Sequence, residues 1–156
     1  EDHFAAALAT MITLNKYAAA VFDSFTIRGC TDVTGFGFLG HLAEMLSPGV
    51  GAEVWSSAIP ILPGARRYAE EFLTTGAAQR NRNSLAGKVQ FSGSDFAMEE
   101  ILMDPQTSGG LLASVPQEQG NKLLEALADL EQPSAIVGML REDPKGIIAI
   151  DHGRQG

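Results

Sequence analysis

The chain has 156 residues, 45% of them apolar, with 11 Lys+Arg against 19 Asp+Glu and a formal net charge of −8, giving a sequence pI near 4.7. This length and composition suit one globular domain and exclude a disordered chain, while the acidic balance argues against a nucleic-acid platform, which needs a basic face to meet phosphate. No tract reaches the roughly 18 uninterrupted apolar residues of a membrane span, and the single Cys30 excludes an intrachain disulfide or a thiolate-built zinc site and fits a reducing compartment.

Taken in chain order, residues 4–22 repeat apolar side chains at spacings of three and four and predict one amphipathic helix of about five turns. The chain opens on Glu1-Asp2-His3 with that helix already under way, which reads as a piece of a longer protein and shows no signal peptide. Residues 28–34, polar and carrying Gly29, read as a loop, and residues 35–46 as a second helix stopped by Ser47-Pro48-Gly49. Residues 51–56 are a short strand around Val54 and Trp55, and Pro63 leads into a helix over 64–73. The stretch 74–87 has no apolar period and reads as a long loop.

Asp95 is placed to cap a helix over 95–103. The apolar run 111–115 predicts a buried strand, residues 117–130 a helix, and residues 135–140 and 146–150 two strands joined by a charged turn in a hairpin. The expected fold class is α+β, a layered α/β domain with a mixed sheet, its last third (strand, helix, strand, strand) partly ferredoxin-like. No internal repeat, low-complexity tract or interdomain linker interrupts it.

The densest run is Cys30-Thr31-Asp32-Val33-Thr34-Gly35-Phe36-Gly37-Phe38-Leu39-Gly40-His41. Gly35, Gly37 and Gly40 match G-x-G-x-x-G formally, but they follow a helix and a polar loop where a dinucleotide site requires a strand within a βαβ unit. A helix entrance with small residues favours phosphate through its free amides, and Asp32 beside it could hold Mg²⁺. Alternatively, Asp32 or Thr34 simply caps the helix. The loop Asp104-Pro105-Gln106-Thr107-Ser108-Gly109-Gly110 can wrap an anion in a nest of amides or be a turn bonded to itself. Ser108 lacks the G-x-S-x-G context of a nucleophile, and Gly87-Lys88-Val89 lacks that of a Walker loop. Arg80-Asn81-Arg82-Asn83, with Arg66 and Arg67 upstream, could clamp phosphate or form ion pairs within a solvated loop. Cys30 reads as a small hydrophobe, and His3, His41 and His152 have no metal-ligand spacing.

The run 30–42 and the run 104–112 closely resemble the signatures of the selenophosphate synthetase family, as do Thr13-Leu14-Asn15-Lys16 and Ile59-Pro60-Ile61-Leu62-Pro63-Gly64-Ala65, all in family order. The resemblance implies the C-terminal half, residues 1–156, of an enzyme of the aminoimidazole ribonucleotide synthetase superfamily. Such an enzyme makes selenophosphate, AMP and phosphate from ATP, selenide and water with Mg²⁺. It implies a cytoplasmic homodimer formed through an N-terminal half that is not in this sequence and that carries the catalytic Cys or selenocysteine and its Lys. No catalytic residue is therefore expected in the chain, and Cys30 and Lys16 inherit no such role.

By the same resemblance Asp32 becomes the Mg²⁺ ligand, and Thr31, Thr34, Gly35, Gly37, Ser108 and Gly109 become phosphate-facing loop residues. No nucleic acid or membrane partner is implied, and the fragment alone is expected to be inactive. The chain departs from the family pattern at Gly76-Ala77-Ala78-Gln79, before Arg80-Asn81, where a Gly-Gly-Thr-like turn is expected. Two alternatives remain: another ATP-using member of the superfamily, or a non-catalytic interaction domain.

Overall fold

A computed structural model describes residues 2–153. The predicted first helix is two helices, α1 (Asp2–Ile12) and α2 (Lys16–Phe22), bent by 55°. The break falls where polar side chains compete for the backbone: the Thr13 hydroxyl donates to the Ala9 carbonyl at 2.8 Å, a carbonyl that also accepts the Thr13 amide. No single helix among the described residues is long and apolar enough to cross a membrane, and α1 and α2 reach that length only as the bent pair. Across to the next layer, His3 Nδ1 lies 3.0 Å from the Tyr68 hydroxyl.

Residues expected to be a loop form β1 (Gly29–Asp32), followed by α3 (Gly37–Met45) and β2 (Val50–Trp55). A short helical turn and α4 (Ala65–Glu70) come next. The second predicted loop contains α5 (Gly76–Ser84), which escapes apolar periodicity because only Ala78 and Asn81 on it are buried. Its start is nevertheless written in the sequence, since the Thr75 hydroxyl accepts the Ala78 amide as an N-cap. The chain continues through β3 (Val89–Phe91), α6 (Phe96–Met103), β4 (Leu111–Ser114), α7 (Gly120–Leu127), β5 (Gly138–Glu142) and β6 (Ile148–Asp151). Asp95 caps α6 as expected, its carboxylate accepting the Met98 amide at 3.0 Å.

The fold is α+β with a mixed sheet of order β3-β6-β2-β5, plus a separate antiparallel ribbon of β1 and β4. The β5 and β6 strands do not form the expected hairpin: β2 lies between them, antiparallel to β5 and parallel to β6. Nor do the three strands of the last third share a sheet, because β4 leaves to pair with β1. A central position explains the weak alternation of β2, where Gly51, Ala52, Val54 and Trp55 are all buried. Its register sets Ala52 and Val54 beside Ile148 and Ile150, with Val89 and Phe91 on the other side of β6. Against this apolar row pack Leu39 and Leu42 of α3, Ala78 of α5, and Met98, Leu102 and Met103 of α6. Of these helices α3 and α6 carry the loops described next. β4 is half-buried along its length and not the fully buried strand its composition suggests, because the ribbon has one partner only.

Candidate functional site

The ribbon brings the two glycine-rich runs together. Asp32, the last residue of β1, is opposite Leu111, the first of β4, so the segments beyond these strand ends run side by side. Three main-chain hydrogen bonds join them: the Val33 amide to the Gly110 carbonyl (3.0 Å), the Gly109 amide to the Val33 carbonyl (2.9 Å) and the Gln106 amide to the Thr34 carbonyl (3.0 Å). Runs some 70 positions apart in sequence thus share one surface, with the entrance of α3 behind it.

Neither Asp32 nor Thr34 caps α3. Phe36 occupies the N-cap position and makes no side-chain cap bond. The Thr34 hydroxyl is instead 3.0 Å from Nε2 of buried His41, whose Nδ1 faces Glu44 at 3.2 Å. Asp32 is exposed, and no side-chain hydrogen bond or ion pair engages its carboxylate among the described residues. Thr31 donates its hydroxyl to the Asp32 carbonyl at 3.1 Å. Gly35 and Gly109 are exposed and Ser108 is half-buried, whereas Gly37 turns inward.

The conformation of Gly37 is demanded by its surroundings. Its φ is +70°, and a Cβ there would lie 2.9 Å from the carbonyl oxygens of both Met103 and Asp104. The G-x-G-x-x-G run does follow a strand, contrary to the sequence reading, but β1 and β2 on either side of α3 belong to different sheets. No parallel βαβ crossover is formed across α3, so the dinucleotide geometry is absent at this run.

The Arg80 to Asn83 run is helical and divides its labour. Arg82 forms ion pairs with Glu99 (3.1 Å) and Glu100 (2.7 Å), so for this guanidinium the ion-pair alternative holds over the phosphate clamp. Arg66 is engaged by Glu70 and Asp95, and Arg67 by Glu71. Asn81, which sequence reasoning weighed only as part of that run, is buried at 8% exposure. Its amide donates to the Gly35 carbonyl (3.1 Å) and the Met103 carbonyl (2.9 Å).

Electrostatics separate the acidic and sulfur groups. Cys30 is exposed and not packed as the small hydrophobe its sequence suggests; desolvation nevertheless pushes its thiol up, the neighbouring Asp32 charge adds to the effect, and both oppose a reactive thiolate. Burial likewise pushes the Asp104 carboxyl up, the Glu100 charge adds to this, and a hydrogen bond from Thr75 at 3.2 Å opposes it. A raised folded-state pKa means that ionising Asp104 costs native stability: the loss begins as pH passes the unfolded-chain value and is complete above the folded one. Asp104→Asn, which keeps an oxygen for Thr75, is therefore expected to raise the urea midpoint at neutral pH. It should leave the midpoint unchanged below the carboxylate range, and a lower midpoint at neutral pH would contradict the assignment.

Among the described residues no group of three or more His, Cys, Asp or Glu side chains converges as a metal cage. A lone exposed carboxylate suits a Mg²⁺ that draws its other ligands from phosphate and water, as that ion commonly does.

Residues 3–151 match the family described as AIR synthase related protein, C-terminal domain. Among curated relatives, selenide, water dikinase of Agathobacter rectalis is 50% identical over 133 residues, 85% of this chain and 39% of that protein. The protein of the same name from Desulfitobacterium hafniense is 45% identical over 133 residues, 85% of this chain and 39% of its own length. Selenide, water dikinase 2 of Peptoclostridium acidaminophilum is 43% identical over 143 residues, covering 90% and 41%. The chain spans about two fifths of the length of these relatives.

Proposed function

The chain belongs to the AIR synthase related protein C-terminal domain family, and from that premise we propose that it is the C-terminal domain of an ATP-dependent selenophosphate synthetase. The intact enzyme would form selenophosphate, AMP and phosphate from ATP, selenide and water. The observation that carries the reading is the meeting of the two glycine-rich runs in one surface, with the uncommitted carboxylate of Asp32 at its rim.

In this proposal Asp32 would supply one hard oxygen ligand to Mg²⁺. Bound there, the ion would neutralise charge on the phosphates during transfer. The remaining roles fall to the chain itself. The exposed backbone at Gly35 and Gly109 lets a phosphate approach without side chains in the way, Thr34 and Ser108 stand in the same loops with Thr31 just before them in β1, and inward-facing Gly37 lets α3 seat against α6. Activation of the nucleophile would come from an N-terminal half outside this sequence, which would also form the homodimer in the cytoplasm. The exposed apolar side chains Phe4, Leu8 and Ile12 of α1, Leu14 of the link and Tyr17 of α2 are available to contact that half.

The direct test supplies ATP, Mg²⁺ and selenide to the full-length protein and follows products by ³¹P NMR. Selenide-dependent AMP, phosphate and a selenophosphate resonance are expected, with none formed by the 156-residue chain alone. ADP formed with another acceptor, and indifference to selenide, would assign the chain to a different ATP-using member of the superfamily.

A further inference from the structure

The two loops of the site are fastened by a residue that belongs to neither. A side-chain amide has two N–H donors, and Asn81 directs its Nδ2 to the Gly35 carbonyl in the first loop and to the Met103 carbonyl at the head of the second. The Met103 carbonyl ends α6, where main-chain acceptors lack helical partners. At the other end of α5, Thr75 donates to Asp104 at 3.2 Å, so the helix is attached twice to the second loop and once to the first. Little apolar burial holds α5 in place: Ala78 on the helix and Leu85 just after it are its buried hydrophobic contacts. From the other side, His41 bonds Thr34 in the first loop.

We propose that Asn81 is a positioning residue for the Mg²⁺ and phosphate site: it fixes the spacing between loops 33–36 and 104–110, and through the first of them the carboxylate of Asp32. This rests on the reading of Asp32 as a metal ligand. Without the amide, the loops are held by the three main-chain bonds between them, and apart from buried Val33 the residues that make those bonds, Thr34, Gln106, Gly109 and Gly110, are exposed or half-buried, where local opening is easiest.

Two variants test it: Asn81→Asp, which keeps the shape but turns both donors into acceptors facing carbonyls, and Asn81→Ala, which leaves space without added charge. In both, amide hydrogen exchange of the chain should be about tenfold faster at Val33, Gln106 and Gly109, while Ala52 and Ile148 in the sheet keep their protection. In the full-length protein, the Mg²⁺ concentration for half-maximal ATP turnover should rise about tenfold, the scale seen when a partner behind a metal ligand is removed. Unchanged exchange at the loops, equal loss of protection in the sheet, or faster loop exchange with an unchanged Mg²⁺ requirement would each overturn the proposal. Asp32→Ala in the same assay keeps the two readings apart. An unmoved Mg²⁺ requirement in that variant removes the metal reading, whereas a raised one there with unmoved Asn81 variants removes the positioning role alone.

Discussion

Asp32→Ala is expected to lower ATP turnover by the full-length protein about 10²- to 10³-fold, the usual loss when one preorganised electrostatic contact to a reacting centre is removed. Folding should be almost untouched, because the side chain is exposed and no described partner depends on it, and surface changes of that kind stay within about 0.5 kcal/mol. Activity and stability therefore separate in this variant, which distinguishes ligation from helix capping. Capping would be lost with about 1 kcal/mol of stability, but α3 has no side-chain cap to lose. Asp32→Asn sharpens the test, since it keeps the volume and one oxygen and removes the charge. Turnover with native Mg²⁺ dependence in both variants, measured beside an unchanged urea midpoint, would rule out the metal role.

Gly37→Ala should destabilise the chain by about 2–4 kcal/mol in urea denaturation, combining the cost of a left-handed conformation with overpacking. Both contributions are visible: φ is +70°, and the added methyl would sit 2.9 Å from two main-chain oxygens. Those atoms belong to the junction of α6 with the second loop, which cannot retreat easily because Asn81 holds the Met103 carbonyl. Gly35→Ala is the control, since nothing lies within 4 Å of the corresponding position. Equal midpoints for the two variants would mean that the entrance of α3 is looser than its contacts indicate.

How far the fold was legible depended on where each element draws its stability. Helices α3 and α6 and strand β2 carry a buried apolar face, and a buried face leaves a period in the sequence. By contrast, β1 alternates between half-buried and exposed positions in a two-stranded ribbon, and α5 is held by a cap and a buried amide. Neither leaves an apolar period, so both read as loops. The Thr75 cap before Gly76-Ala77-Ala78 was the available signal for α5. Between β5 and β6 the charged turn was real, but adjacency in sequence does not establish pairing when a third strand fits the space between them.

By itself the sequence determined the α+β class, the acidic single-cysteine composition, the two glycine-rich runs and the resemblance they carry, because each is a property of neighbouring residues or of simple counts. The tertiary structure alone decided that those runs form one surface, that Asp32 is free where capping was the alternative, and that a residue read as part of a doubtful phosphate clamp joins the loops instead. The physical reason is range. Asn81 reaches an acceptor 46 positions away and another 22 away, and no local periodicity encodes a single directional bond made across such a distance.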